Sequence, residues 1–90
     1  MLSRTSMEKI ASRDDLSQNS KKVVFSLLAE VNSSMLAKTY GSNDSIKKLL
    51  DGGNYEDARV LSEVFGEITN TCKDNAEYID EMLKGLPNEN

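Results

Sequence analysis

The chain has 90 residues, 11 Lys and Arg against 15 Asp and Glu for a net charge of −4, one Cys and no His. One domain is the ceiling at that length, and an intramolecular disulfide, a Cys-based zinc site within one chain and a histidine general base are all excluded. With no Trp, two Phe and three Tyr, the available core is mainly Leu, Ile, Val and Met, thin for a lone chain that buries only about two-thirds of its unfolded surface.

Residues 1–15, MLSRTSMEKIASRDD, are polar with scattered apolar positions. Met7, Ile10 and Ala11 are spaced for one short amphipathic turn, and Ser6 with Lys9 three residues on is no capping box. The segment reads as a weakly ordered N-terminal arm. Residues 16–40 read as the first long helix, with Asp14 or Asp15 placed to cap it at the positive end of the helix dipole. Leu16, Val23, Val24, Leu27, Leu28, Val31, Met35 and Leu36 fall largely at three- and four-residue steps and make a broad apolar stripe, interrupted by Ser17, Ser20, Ser33 and Ser34. Gly41 is expected to end this helix in the left-handed cap conformation.

In the connection, Ser42, Asn43, Asp44 and Ser45 are N-cap residue types, and Ile46, Leu49 and Leu50 are spaced for about two turns of helix. Asp51, Gly52, Gly53 and Asn54 form the strongest breaker in the chain. Residues 54–86 then read as a second long helix, of which about 31 residues at ~1.5 Å rise give roughly 46 Å. Asn54 is its candidate N-cap, Glu56 and Asp57 lie in its first turn, and Gly85 and Pro87 stop it. Gly66 interrupts it at about 1 kcal/mol relative to Ala. The hairpin domain is thus expected over 16–86, with PNEN at 87–90 as a polar tail.

The second helix carries the clearest pattern. Ala58, Leu61, Phe65, Ile68, Cys72, Asn75, Ile79, Met82 and Leu86 hold a heptad register. A straight helix drifts from a seven-residue repeat, so a seam held this long asks for a long partner surface and is expected to be an oligomer seam. Asn75 is the polar member, able to fix register and partner count or to face solvent where the seam opens. Cys72 is expected to pack as a small apolar residue, near its copy in a symmetric dimer.

Residues 49–61, LLDGGNYEDARVL, resemble the turn between helices of tetratricopeptide repeats, where a short turn with Gly and Tyr precedes a helix with a buried Ala. Gly53, Asn54, Tyr55 and then Ala58 take those places. The resemblance spans 13 of 90 residues and implies a helix-turn-helix with Ala58 buried. A single unit stacks no solenoid, and the following helix is too long for the repeat. Secreted hairpins of the type VII kind are similar in size, but their turn is built on a Trp that this chain lacks.

Charge divides along the chain: residues 1–50 hold 8 Lys and Arg against 5 Asp and Glu, residues 51–90 hold 3 against 10. Glu63, Glu67, Asn70, Asp74 and Glu77 step by four and three, so the carboxylates of Glu63, Glu67, Asp74 and Glu77 line one helix face as candidate partner contacts. Asn70, Asp74 and Glu77 could hold a divalent cation only if a second acidic helix faced them. Adjacent acid pairs point about 100° apart on a helix and converge on no substrate. Gly52 and Gly53 are followed by no Lys-Ser or Lys-Thr step and make no phosphate loop. A would-be reading helix that begins Tyr55, Glu56, Asp57 argues against direct nucleic-acid binding. No apolar run approaches the ~18 residues of a membrane span, and no signal-peptide core precedes the domain.

The expected protein is all-α: an antiparallel hairpin of two long helices with a short helical connection, pairing as a homodimer into a four-helix bundle or coiled coil. It is expected to be cytoplasmic, without cofactor, metal or catalytic residue, and to act as a protein–protein interaction module (adaptor, chaperone or regulator) on a larger protein partner. The alternative expectation is a small acidic inhibitor, of the kind found on phages and mobile elements, covering a basic surface of its target.

Overall fold

Two Ser-x-x-Ser steps start the first two helices. Ser3 Oγ accepts from the Ser6 amide at 3.1 Å and Ser17 Oγ accepts from the Ser20 amide at 3.0 Å, so each serine satisfies an amide that the first helical turn would leave orphaned. The computed structural model describes residues 2–86, in four helices: α1 (Arg4–Ala11), α2 (Gln18–Gly41), α3 (Asn43–Asp51) and α4 (Tyr55–Gly85), with no strand among the described residues. The polar tail at 87–90 lies outside the described residues. The cap of α2 is Ser17 rather than Asp14 or Asp15, because Asp15 is engaged by Arg13 Nε at 2.9 Å.

The chain turns twice. At Ser42 the hydroxyl donates back to the Lys38 carbonyl at 2.9 Å, the kind of side-chain competition that bends a helix, and α3 continues almost directly from α2. Gly41 does not take the left-handed cap expected of it; it ends α2, and among the described residues only Gly53 has a positive φ, at 79°. There the Asn54 amide reaches the Leu49 carbonyl at 2.8 Å and the Gly53 amide reaches Leu50 at 3.1 Å, the paired bonds of a Schellman cap. That cap reverses the chain, and Ala58 is buried one turn into α4, as the resemblance to a helix-turn-helix implied. Asn54 sits at the N-cap of α4 but makes no capping bond with its side chain.

The hairpin is in place: α2, prolonged by α3, packs antiparallel against α4. Asn32 Nδ2 donates to the Cys72 carbonyl at 2.8 Å, and Phe25 and Ile79 share the core cluster. Both pairs step by seven residues in opposite directions, a coiled-coil register held inside one chain. The α4 seam expected to face another chain is therefore turned onto α2 and α1. Ala58, Cys72, Asn75 and Ile79 are buried, and Leu61, Phe65, Ile68, Met82 and Leu86 are half-buried. Cys72 is fully enclosed, so its thiol is not placed to meet a symmetry copy.

The face of α2 that packs coincides with the apolar stripe of the sequence only in part: Leu28 packs on the core cluster and Val24, Met35 and Leu36 are half-buried. Phe25, Asn32 and Thr39, seven residues apart, are buried, whereas Val23, Leu27 and Val31 are 53%, 55% and 50% exposed. Burying an amide and a hydroxyl is tolerated because both are satisfied: Thr39 Oγ1 donates to the Met35 carbonyl at 2.9 Å, and no buried side-chain polar atom among the described residues lacks a partner.

The N-terminal arm, expected as weakly ordered, is a two-turn helix over Arg4–Ala11 docked on the open end of the hairpin. Met7 is only 1% exposed and enters the cluster of Phe25, Tyr78 and Ile79, with Ile10 and Ala11 at its edge. The Arg4 guanidinium carbon lies 3.9 Å from the centroid of the Tyr78 ring. Lys21 Nζ donates to the Ala11 carbonyl at 2.8 Å, which suits the negative end of the helix dipole. Asn75 Nδ2 donates to the Leu2 carbonyl at 3.0 Å. Asn75 thus ties the arm to α4 instead of facing a second α4 or solvent. Replacing it by Ala is expected to cost about 1 kcal/mol and to speed amide exchange over residues 4–11 well before the hairpin exchanges. Uniform protection in the variant would mean that Met7 alone holds the arm.

The result is long and thin, 56 × 23 × 16 Å, with a radius of gyration of 17.1 Å against roughly 12 Å for a compact chain of this length. Its accessible surface is 6241 Å², where a compact monomer of this size exposes roughly 5,200 Å². The excess follows from the elongated shape.

Candidate functional site

A pair of packed helices has two lengthwise grooves, and a third helix laid in either one completes a bundle. α1 does this over the open end only. Its 8 residues reach about 12 Å, against about 46 Å for the 31 residues of α4. Its contact with Tyr78 identifies the groove it uses: Tyr78 shares a flank of α4 with Thr71 and Val64, seven and fourteen residues before it.

Beyond the start of α1, toward the turn, the groove is open. An apolar channel of about 710 Å³ runs there, floored by Val31, Met35, Phe65 and Ile68. Phe65 also borders a smaller recess lined by Ser62, Gly66 and Thr69. That recess opens on the opposite flank of α4, so the larger channel lies on the flank of Val64 and Tyr78, in line with α1. The exposed strip Val23, Leu27, Val31 on α2 runs into it at Val31, and Val64, 44% exposed, stands beside it on α4.

Charged side chains frame this floor. Glu30 and Lys38 stand on the α2 side. On α4, Glu63, Glu67, Asp74 and Glu77 lie on the outer face of the helix, outside the channel lining. All four candidate partner contacts, Glu63, Glu67, Asp74 and Glu77, are exposed on one continuous face. Only Glu63 among them has an ion pair within the described residues, accepting from Arg59 Nη1 at 2.6 Å. The same guanidinium holds Glu56, whose carboxyl lies below the ordinary carboxylate range because Arg59 donates to it; Arg59 is raised in turn, chiefly by that bond. These solvent-exposed pairs add little stability. They neutralise part of the α4 surface from within the helix.

Asn70, Asp74 and Glu77 face outward with no second acidic helix opposite, and among the described residues no group of three His, Cys, Asp or Glu comes close enough to hold an ion. Nor is any described helix long and apolar enough to cross a membrane. Sequence reasoning found the acidic stripe and put the floor residues Phe65 and Ile68 in the α4 seam. It missed Phe25, Met7 and Tyr78, the large core residues that dock α1. A signal was present: Met7, Ile10 and Ala11 repeat the helical spacing, and Ser3 stands one residue before the segment they belong to. The chain matches no protein-family model, no curated protein and no solved structure.

Proposed function

We propose that the protein is a small protein–protein interaction module that receives a segment of a larger protein in the channel floored by Val31, Met35, Phe65 and Ile68. One observation carries this reading: the third-helix position of the bundle is filled over the open end by α1 and left empty, with an apolar floor, over the rest. Contiguous apolar surface of that kind on a soluble chain marks an interaction site, and a groove between two helices suits an inserted segment better than a small molecule. The reading goes with the cytoplasmic setting expected from the composition, in which the single cysteine stays unpaired, and it assigns no catalytic residue.

Affinity capture from the native cell tests it. Wild-type protein is expected to retain one partner at about 0.3 M salt, where surface charge is largely screened. Val31→Glu, at a half-exposed position, is expected to lose that partner with an unchanged circular dichroism spectrum. Equal capture by both proteins would remove the channel from the account.

A second reading, the acidic inhibitor, is favoured by the exposed stripe Glu63, Glu67, Asp74 and Glu77. Reversing all four to Lys is expected to leave helicity intact, since none is buried and only Glu63 is paired. For a charge mimic, target binding then collapses and the wild-type complex weakens steeply with salt. For channel docking, the reversal alters on-rate and salt dependence more than affinity. Pairing of two copies would use the same apolar strip, and light scattering at ~10 µM, a concentration suited to a modest interface, separates a dimer from a monomer.

A further inference from the structure

We propose that α1 is a lid that opens as a unit of its own, leaving the hairpin of α2, α3 and α4 folded beneath it. Eight residues of helix have no stability alone, so α1 is ordered only while it is docked, and releasing it and melting it are one event. Its hold on the hairpin is small. Met7 is the one fully enclosed side chain it contributes, with Ile10 and Ala11 half-buried at the edge of the cluster. Its two ends are held by hairpin side chains that reach main-chain carbonyls, Asn75 Nδ2 to Leu2 at 3.0 Å and Lys21 Nζ to Ala11 at 2.8 Å. The Arg4 guanidinium resting on the Tyr78 ring completes the set.

The hairpin's own contacts bypass α1. Ser17 caps α2, Asn32 holds the Cys72 carbonyl, and the turn at Gly53 closes the far end. Between α1 and α2, residues 12–17 are exposed except for half-buried Leu16, and the Arg13–Asp15 ion pair is internal to that segment, so opening breaks neither end of it. What opening bares is Phe25, Tyr78 and Ile79. On the α4 seam, Ile68 at the channel and Asn75 at the edge of α1 stand seven residues apart on one flank. An open lid therefore joins this slot to the channel and lengthens the groove by about 12 Å, the length of α1. Closed, α1 is an autoinhibitory contact: anything that reaches past Asn75 is weakened by the factor by which the closed form outnumbers the open one. The lid is independent of what enters the channel and does not rest on that reading.

Native-state hydrogen exchange on the full chain tests this, read amide by amide in urea below the unfolding transition. The bonded amides of α1 and its C-cap, Met7 to Ser3 and Ser12 to Glu8 among them, are expected to be protected, yet to exchange at least ~10-fold faster than the slowest amides of α2 and α4 and with a shallower urea dependence. Two variants fix the order of opening. Met7→Ala weakens only the closed form, and unfolding of the hairpin includes opening of the lid. It is therefore expected to speed α1 and the slowest hairpin amides by one common factor, about 10-fold or more. Asn32→Val weakens the hairpin whether the lid is open or closed, so it is expected to speed the slowest α2 and α4 amides about 5-fold and to leave α1 unchanged within about 2-fold. If α1 and the hairpin share one rate and one urea dependence in wild type, or Asn32→Val speeds both alike, α1 belongs to a single cooperative unit and the lid is overturned. If wild-type α1 amides exchange as fast as those of an unfolded chain, there is no closed form, and the proposal falls as well.

Discussion

Phe25→Ala is expected to remove about 3–5 kcal/mol of stability, the range for deleting a fully enclosed aromatic side chain. Phe25 is 1% exposed and meets the Tyr78 ring edge to face, with centroids 6.3 Å apart and planes at 71°, an arrangement that adds to simple burial. Met7 and Ile79 close the other sides of the same cluster, so the cavity would lie where α1, α2 and α4 meet and could not be refilled by one neighbour. A chain of 90 residues has of the order of 5–15 kcal/mol to lose, so a large part of the total rests on this residue. Phe65, the bulkiest residue of the α4 heptad, is the contrasting case. It is half-buried between two open grooves, and Phe65→Ala is expected to cost less than half as much. Glu67→Ala should change little. Urea melts followed by circular dichroism rank the three. Equal losses at Phe25 and Phe65 would move the core toward the turn end of the hairpin and contradict the packing described above.

That contrast shows what was legible in the sequence and what was not. The heptad of α4 was readable because a seven-residue repeat is a property of one helix. Which surface it meets is a property of two, and nothing local tells an intrachain seam from an interchain one. The partner face on α2 was harder to find because the chain offers too much apolar surface there. Val23, Val24, Leu27, Leu28 and Val31 wrap beyond the width that one neighbour can cover. Meanwhile the face that does pack contains Asn32 and Thr39, which hydropathy counts against burial and hydrogen bonding makes acceptable. The N-terminal arm escaped for a related reason: eight residues of helix have no stability of their own, and what orders them is a pocket assembled from residues 25, 78 and 79. The acidic stripe was legible as a face. The open channel was not, since it required knowing that α1 stops short.

Asn32→Asp is expected to be the most damaging isosteric change in the chain and to reverse the sign of its acid response. Asn32 is 4% exposed, and its Nδ2 donates to the Cys72 carbonyl at 2.8 Å. A carboxylate there loses the donor, sets negative charge against a carbonyl oxygen and has no cation paired with it, at a cost of about 3 kcal/mol or more at neutral pH. Asn32→Val removes the bond without the charge. Since the Cys72 carbonyl keeps its own helical amide, that change is expected to cost about 1 kcal/mol. Burial favours the neutral acid, so the introduced carboxyl has a folded-state pKa above its unfolded value of about 3.9. The folded variant then binds more protons than the unfolded chain across the interval between the two, and its stability rises as pH falls through the folded pKa. Once protonated, the acid regains an O–H that can donate to Cys72. Urea midpoints at pH 7 and pH 5 check this: Asn32→Asp should gain toward pH 5, while wild type and Asn32→Val do not. A variant that merely loses stability with acid would mean that water reaches position 32. The hydrogen bond would then not be what holds α2 and α4 in the register that brings Met35 beside Ile68, and the floor of the channel would need another cause.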